Sequence, residues 1–221
     1  MNIEDYIEDI LNEPDAPQVV EHIQSILEKE KTERHKFREW LTPSVKAEFI
    51  NGERIMHSPV KRGHLVANDH LMPLLTTYVE VHQLGEVHCE KALIGLTRND
   101  YEPDICFWEK ERTGDFDEDT MVFPAPDFIV EILSKGTEKR DRGVKFKDYA
   151  KHNVKEYWLI NSKKKQVERY LEKGQKYDLD KIYELTDTIE SQEVKGFKIP
   201  VVAIFDGKEY LKALKNIVRK S

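Results

Sequence analysis

The run Pro124-Ala-Pro-Asp-Phe-Ile-Val-Glu-Ile-Leu-Ser134 restricts the fold more than any other stretch of the chain. Phe128, Ile129, Val130, Ile132 and Leu133 are apolar without strict alternation, which is the composition of a strand covered on both faces. Such a strand belongs inside a sheet with layers on either side. Two carboxylates, Asp127 and Glu131, interrupt it. An unpaired carboxylate in that position costs several kcal/mol or takes up a proton. Glu131 therefore needs a partner: a metal ion, a lysine, or a hydrogen-bond network.

The residues after the run narrow the choice. Positions 134–155 hold eight Lys or Arg (Lys135, Lys139, Arg140, Arg142, Lys145, Lys147, Lys151, Lys155) against three acids. They read as a helix from Thr137 to about His152, and the apolar strand Glu156-Tyr-Trp-Leu-Ile-Asn161 follows. Strand, helix and strand in about 35 residues form a crossover unit, which places a parallel pair in a mixed sheet. Asp127 is expected to cap the mouth of the first strand.

Upstream, residues 1–40 read as a helical extension. Ile3, Tyr6, Ile7, Ile10 and Leu11 form one apolar stripe, and Val19, Val20, Ile23, Ile26 and Leu27 form another. Asp15 and Gln18 resemble a capping box, and Glu28 to Arg38 reads as an exposed helix end or linker. The remaining residues, 41–221, form one α/β domain. It opens with a hairpin, Val45–Ile50 and Glu53–His57, joined by Asn51-Gly52, a favoured type I′ turn. A helix from about Arg62 to Leu84 should kink or split at Pro73. Strands are expected over Glu86–Ile94 and Tyr101–Trp108, with a mobile acidic loop from Glu109 to Met121. A further hairpin spans Gln166–Leu171 and Lys176–Tyr183. Phe197–Phe205 is extended, and Gly207 begins a basic amphipathic helix.

Composition removes several functions. Hydrophobic residues make up 39% of the 221 and charged residues 35%, and no apolar run approaches the ~20 residues that span a bilayer. The acidic start of the chain is unlike a secretory signal, so a cytoplasmic location is expected. Cys89 and Cys106 are too few for a structural zinc site and read as reduced core residues. His57, His64, His70, His82 and His88 crowd one region without the His-Glu-x-x-His spacing of a zinc enzyme, and read as surface or supporting residues. A net charge of -7 argues against coating nucleic acid by bulk electrostatics, yet leaves room for a local basic groove.

Pro103-Asp104, 26 intervening residues, Glu131-Ile-Leu-Ser134, Asp141-Arg-Gly-Val-Lys145 and Tyr149 together resemble the Uma family of endonucleases. That family falls in the PD-(D/E)XK nuclease superfamily with its restriction-endonuclease-like fold. Ala47 to Glu53, Ser58-Pro59 with His64, and Glu156 to Ile160 add to the resemblance, which covers about three quarters of the chain, Leu41 to Phe205. It implies a mixed β-sheet flanked by helices, a Mg²⁺ (or Mn²⁺) cofactor held by Asp104 and Glu131, and DNA as substrate. It also implies a homodimer that cuts both strands. Glu48, Glu53 and His64 are supporting candidates, with Asp141 and Tyr149 on the face of the helix that carries Lys145. Lys135, Lys139, Arg140 and Arg142 would hold phosphates.

The chemistry is sound on its own terms. Phosphodiester hydrolysis needs an activated water and a means of stabilising charge on phosphorus, which a carboxylate-held Mg²⁺ and a nearby lysine can supply. One departure matters. In a Glu-x-Lys motif the lysine shares a strand face with the acid, but that place is Leu133 here. The lysine would have to arrive from elsewhere; Lys135 is nearer in sequence but sits where the strand ends, and the resemblance implies a lysine moved to the following helix, Lys145. The plainer readings are a buried structural pair of Glu131 with Lys145 or Arg142, a turn residue at Asp104, and a solvated basic helix. They describe a nuclease-fold module without catalysis.

Overall fold

The computed structural model describes residues 3–42 and 44–219. In chain order the elements are α1 (Ile3–Leu11), α2 (Ala16–Trp40), β1 (Ala47–Ile50), β2 (Glu53–Met56), α3 (Arg62–His82), β3 (Gly85–Cys89), β4 (Leu93–Gly95), β5 (Asp100–Tyr101) and β6 (Ile105–Glu109). Then come β7 (Val122–Phe123), β8 (Phe128–Ile132), α4 (Glu138–Asp141), α5 (Val144–Lys151), β9 (Glu156–Asn161), β10 (Gln166–Glu172), β11 (Tyr177–Tyr183), β12 (Thr188–Glu190), β13 (Lys198–Pro200) and α6 (Gly207–Arg219).

Strand β8 lies inside a six-stranded sheet of order β11-β10-β9-β8-β6-β3. Its pairing with β9 is parallel and its pairing with β6 antiparallel, so the crossover expected from the sequence is present. Period-two alternation sends its side chains into two cores. Phe128, Val130 and Ile132 meet Leu71, Leu74 and Leu75 of α3 and Ala213 and Ile217 of α6. Ile129 and Leu133 face the other way, toward Tyr149 and Ala150 of α5 and toward Ile50, Ile94 and Tyr101 of a second sheet, order β2-β1-β5-β4-β7. Glu131, between Ile129 and Leu133, therefore points into the layer between the two sheets.

Two expected strands each divide between the sheets. Tyr101–Trp108 becomes β5 in the outer sheet and β6 in the central one, because Pro103 has no N–H to donate to a ladder. Glu86–Ile94 breaks at Glu90 and Lys91, whose φ values of 35° and 65° no extended strand accepts. The helix expected over Thr137–His152 is interrupted at Gly143, where a Cβ would come within 2.6 Å of the Lys139 carbonyl oxygen. Conversely, α3 runs through Pro73 without a split. Asn51 and Gly52 take φ of 50° and 86°, as a type I′ turn requires.

The charged segment before residue 40 is not a linker. Arg34 and Arg38 both clamp the fully buried Asp100, with bonds of 2.5–3.0 Å, and Phe37 packs on Phe49. The last turns of α2 thus belong to the outer sheet. The capping box does not form, since Asp15 makes no side-chain cap bond. Nor is the acidic loop loose: Phe116 packs edge-on to Trp108, and Arg112 donates to Asp127 at 2.7 Å. Phe197–Phe205 is a short strand, β13, followed by a 3₁₀ turn, and β13 pairs with β12, which the sequence reading passes over. No helix among the described residues is long and apolar enough to cross a membrane.

Candidate active site

Ile105 pairs with Val130 in the antiparallel ladder, so the next position outward sets Asp104 opposite Glu131. Directly opposed residues have Cβ atoms about 4.5–5.5 Å apart, close enough for both carboxylates to reach one ion. Asp104 sits where the chain passes from the outer to the central sheet, and its Oδ2 replaces a main-chain acceptor. It takes the Ile132 N–H at 2.7 Å and lies 3.2 Å from His64 Nε2. Lys46 Nζ stands 3.8 Å from the other oxygen.

The helix supplies what the strand lacks. Lys145 and Tyr149, one turn apart on α5, both donate to Glu131 Oε1, at 2.8 and 3.1 Å. Lys145 Nζ also lies 2.6 Å from Glu48 Oε1 and 3.7 Å from Asp141 Oδ1. Glu48 reaches it because β1 turns Glu48 and Ile50 inward, while Ala47 and Phe49 face α2. The Glu102 N–H donates to Glu48 Oε1 at 3.1 Å, and His57 Nε2 makes an ion-pair contact of 3.4 Å with Oε2. Leu133, where the superfamily's lysine would stand, is buried in the core.

Three buried acids thus share one ammonium, and their protonation reflects the shortage. Burial drives Glu131 well above the usual carboxylate range, and it raises Asp141 too. Burial would also raise Glu48, but Lys145 and His57 overcome it and hold that acid at about 2. Asp104 is lowered against its burial by His64 and the Ile132 N–H. Burial opposes charge on Lys145, yet Glu131, Glu48 and Asp141 keep it protonated far above the ordinary lysine range.

Three other buried acids are well provided for. Asp100 has two arginines. Asp127 accepts from the Glu109 N–H and pairs with Arg112 and Lys155. Glu156 accepts from Trp158, Ser191 and two backbone N–H groups. In the cluster, by contrast, Glu48 Oε2 and both Asp141 oxygens are buried without an aligned hydrogen bond. An excess of acids over cations, with hard oxygen donors, is what a divalent cation such as Mg²⁺ or Mn²⁺ requires. Asp104 and Glu131, with side chains 10% and 6% exposed against 1% for Glu48 and Lys145, are the acids nearest solvent. Among the described residues no set of three or more His, Cys, Asp or Glu is already disposed as a metal shell, so the fit is one of charge and donor type, with Lys145 lying among the acids.

Asp104, Glu131, Lys145, Glu48, His64, Asp141 and Tyr149 therefore converge, from six separate elements or turns. Glu53 does not: it is exposed on β2. Arg142 is committed elsewhere, gripping Glu168 with two bonds of 2.6 Å and also meeting Glu138. Lys155 is tied to Asp127, at the far end of β8 from Glu131. Lys135 and Lys139 are exposed, and Arg140 is half-buried with its Nε unpaired. His57, one of the histidines read from the sequence as surface or supporting residues, is the one that reaches Glu48. The Asn51-Gly52 turn fixes the register, Glu48 pairs with Ile55, and His57 is then the diagonal neighbour on the same face.

The family model Uma2, described as "Putative restriction endonuclease", matches residues 34–202. A solved structure, "a putative nuclease belonging to DUF820" from Anabaena variabilis ATCC 29413, superposes with a TM-score of 0.66 over 79% of this chain and 96% of its own. At 17% identity, what the two share is the fold. No curated protein matches the chain at a significant level.

Proposed function

The chain belongs to the Uma2 family, and from that premise we propose that it is a metal-dependent endonuclease acting on DNA. Asp104 and Glu131 would hold Mg²⁺ or Mn²⁺, which when bound supplies Lewis-acid activation of water and neutralises charge on the phosphate. His64 and the Ile132 N–H orient Asp104 through Oδ2. Lys145 and Tyr149 orient Glu131 through Oε1. Held protonated by its acids, Lys145 acts as a cation and not as a proton acceptor, so its contribution is to stabilise hydroxide and the developing phosphate charge. Glu48 backs Lys145 from the outer sheet.

The observation that carries this reading is the 2.8 Å contact between Lys145 Nζ and Glu131 Oε1 beside Asp104, which restores from a helix the lysine missing at Leu133. The test is cleavage of supercoiled plasmid in Mn²⁺ or Mg²⁺ and in EDTA. Activity in the metals, abolished by EDTA and by Asp104→Ala or Lys145→Ala, is expected. A wild-type protein inert in both metals would sink the proposal.

A second reading has its own support, because Lys145 is almost wholly enclosed by acids, as in a structural network. A non-catalytic module would gain no thermal stability from Mn²⁺. The metal site predicts a gain that Glu131→Gln removes.

A further inference from the structure

We propose a DNA-backbone surface along the edge of the central sheet where β8 and β9 end, with the Lys163-Lys164-Lys165 turn as its main contact. This rests on the nuclease reading for its choice of partner, but on separate residues. Ile132 pairs with Ile160, and the Leu133 N–H donates to the Ile160 carbonyl at 2.9 Å, so these parallel strands end together. The turns that follow, Ser134-Lys135-Gly136 and Ser162 to Lys165, leave from neighbouring strands, about 4.8 Å apart. A third segment joins them. Gly63, at the start of α3, approaches Ser162 so closely that a Cβ would lie 3.4 Å from its Oγ. That brings up Lys61 and Arg62, and His64 on the same turn contacts Asp104.

Three segments distant in sequence thus deliver Lys61, Arg62, Lys135 and the three turn lysines to one edge, the edge at which Asp104 and Glu131 lie. All six are exposed, and none forms an ion pair among the described residues, although the chain carries a net charge of -7. Some cations elsewhere are held by acids, as Arg142 is by Glu168, Lys155 by Asp127 and Arg98 by Glu30. Six exposed cations without ion pairs, brought to one edge beside the acid cluster, match a polyanion with regularly spaced charges. They also offset the repulsion that the acid cluster would exert on phosphates.

Binding of a fluorescent DNA duplex in EDTA, followed by anisotropy across a salt series, tests this without cleavage. Each phosphate contact contributes about -0.9 to the log–log salt slope. The triple variant K163Q/K164Q/K165Q is expected to bind at least about tenfold more weakly, with a slope shallower by about 2–3. The control K173Q/K176Q, at the far end of β10, should leave both unchanged. Binding by the wild type that the triple variant retains would overturn the surface, as would failure of the wild type to bind. Triple-variant loss of binding, with no cleavage by the wild type in Mn²⁺, would keep the surface and remove the nuclease reading.

Discussion

Replacing Lys145 by methionine removes the one ammonium shared by Glu48, Glu131 and Asp141 while keeping most of the side chain's volume, so little cavity is created. Breaking a buried ion pair from one side costs about 3–5 kcal/mol, because the other charge stays buried. For a chain of this length each kcal/mol moves Tm by about 2–4 °C, so a fall of about 6–20 °C is expected. The loss should depend on pH with a defined sign. Without the ammonium Glu48 loses the partner that holds it low, and the folded pKa values of Glu131 and Asp141, already above their unfolded ones, rise further. Such groups weaken the fold as pH climbs through the unfolded value and cease to do so on acidification. Denaturant titrations of wild type and Lys145→Met should therefore differ most near pH 8 and converge toward pH 4. The double variant with Glu131→Gln should recover part of the loss. Mn²⁺ should stabilise Lys145→Met more than wild type, since it restores positive charge among the acids, while cleavage stays absent. A Tm change under about 2 °C that ignores pH would refute the idea that the ammonium holds the cluster together.

Glu48, held at about 2 against an ordinary value of 4.5, contributes stability that is complete above the unfolded pKa and lost as pH falls through the folded one. Urea titrations between pH 5 and 2.5 should show Glu48→Gln with a shallower acid loss, by an order of ~3 kcal/mol over the full window. A chain starting at residue 29 should keep its thermal transition. One starting at 41 should lose at least about 3–5 kcal/mol, because Asp100 is left buried without Arg34 and Arg38. Glu53→Gln should leave cleavage and stability unchanged, and Arg142→Gln should lower stability by less than about 1 kcal/mol with cleavage retained, since its partners lie outside the site. Plasmid nicking with thermal melts checks both.

The central sheet was legible because its signal is local. Phe128–Ile132 and Glu156–Asn161 are short apolar runs joined by a segment of crossover length, and the Asn51-Gly52 pair fixed a hairpin register. What escaped was set by distant partners. Nothing local distinguishes Arg34 from the charged residues around it; only Asp100, 66 positions away, gives it a buried place. The division of Tyr101–Trp108 between two sheets hung on Pro103, which reads equally as a strand entry. For the site, Glu131 announced itself as an acid in an apolar strand. Glu48 did not, because both faces of the four-residue β1 are buried and nothing local tells which one meets the acid cluster. Arg142 shows the reverse case: its segment is basic, but Glu168 approaches from another strand and pairs with it.

These long-range pairs also lie within the family match, residues 34–202. Residue 34 lies inside α2, well past the start of the helix. Arg34 and Arg38 hold Asp100 at the start of β5, and the chain then runs only four residues to Asp104. Over that distance it leaves the outer sheet, passes Pro103 and enters the central one. Asp104 is therefore fixed from both sides, by the clamp on Asp100 behind it and by its bond to the Ile132 N–H ahead. Glu48 comes from the same outer sheet and meets Lys145 from the opposite direction. The candidate site is thus the joint between two sheets, and the helix that locks the outer sheet is part of its support even though no residue of that helix enters the acid cluster.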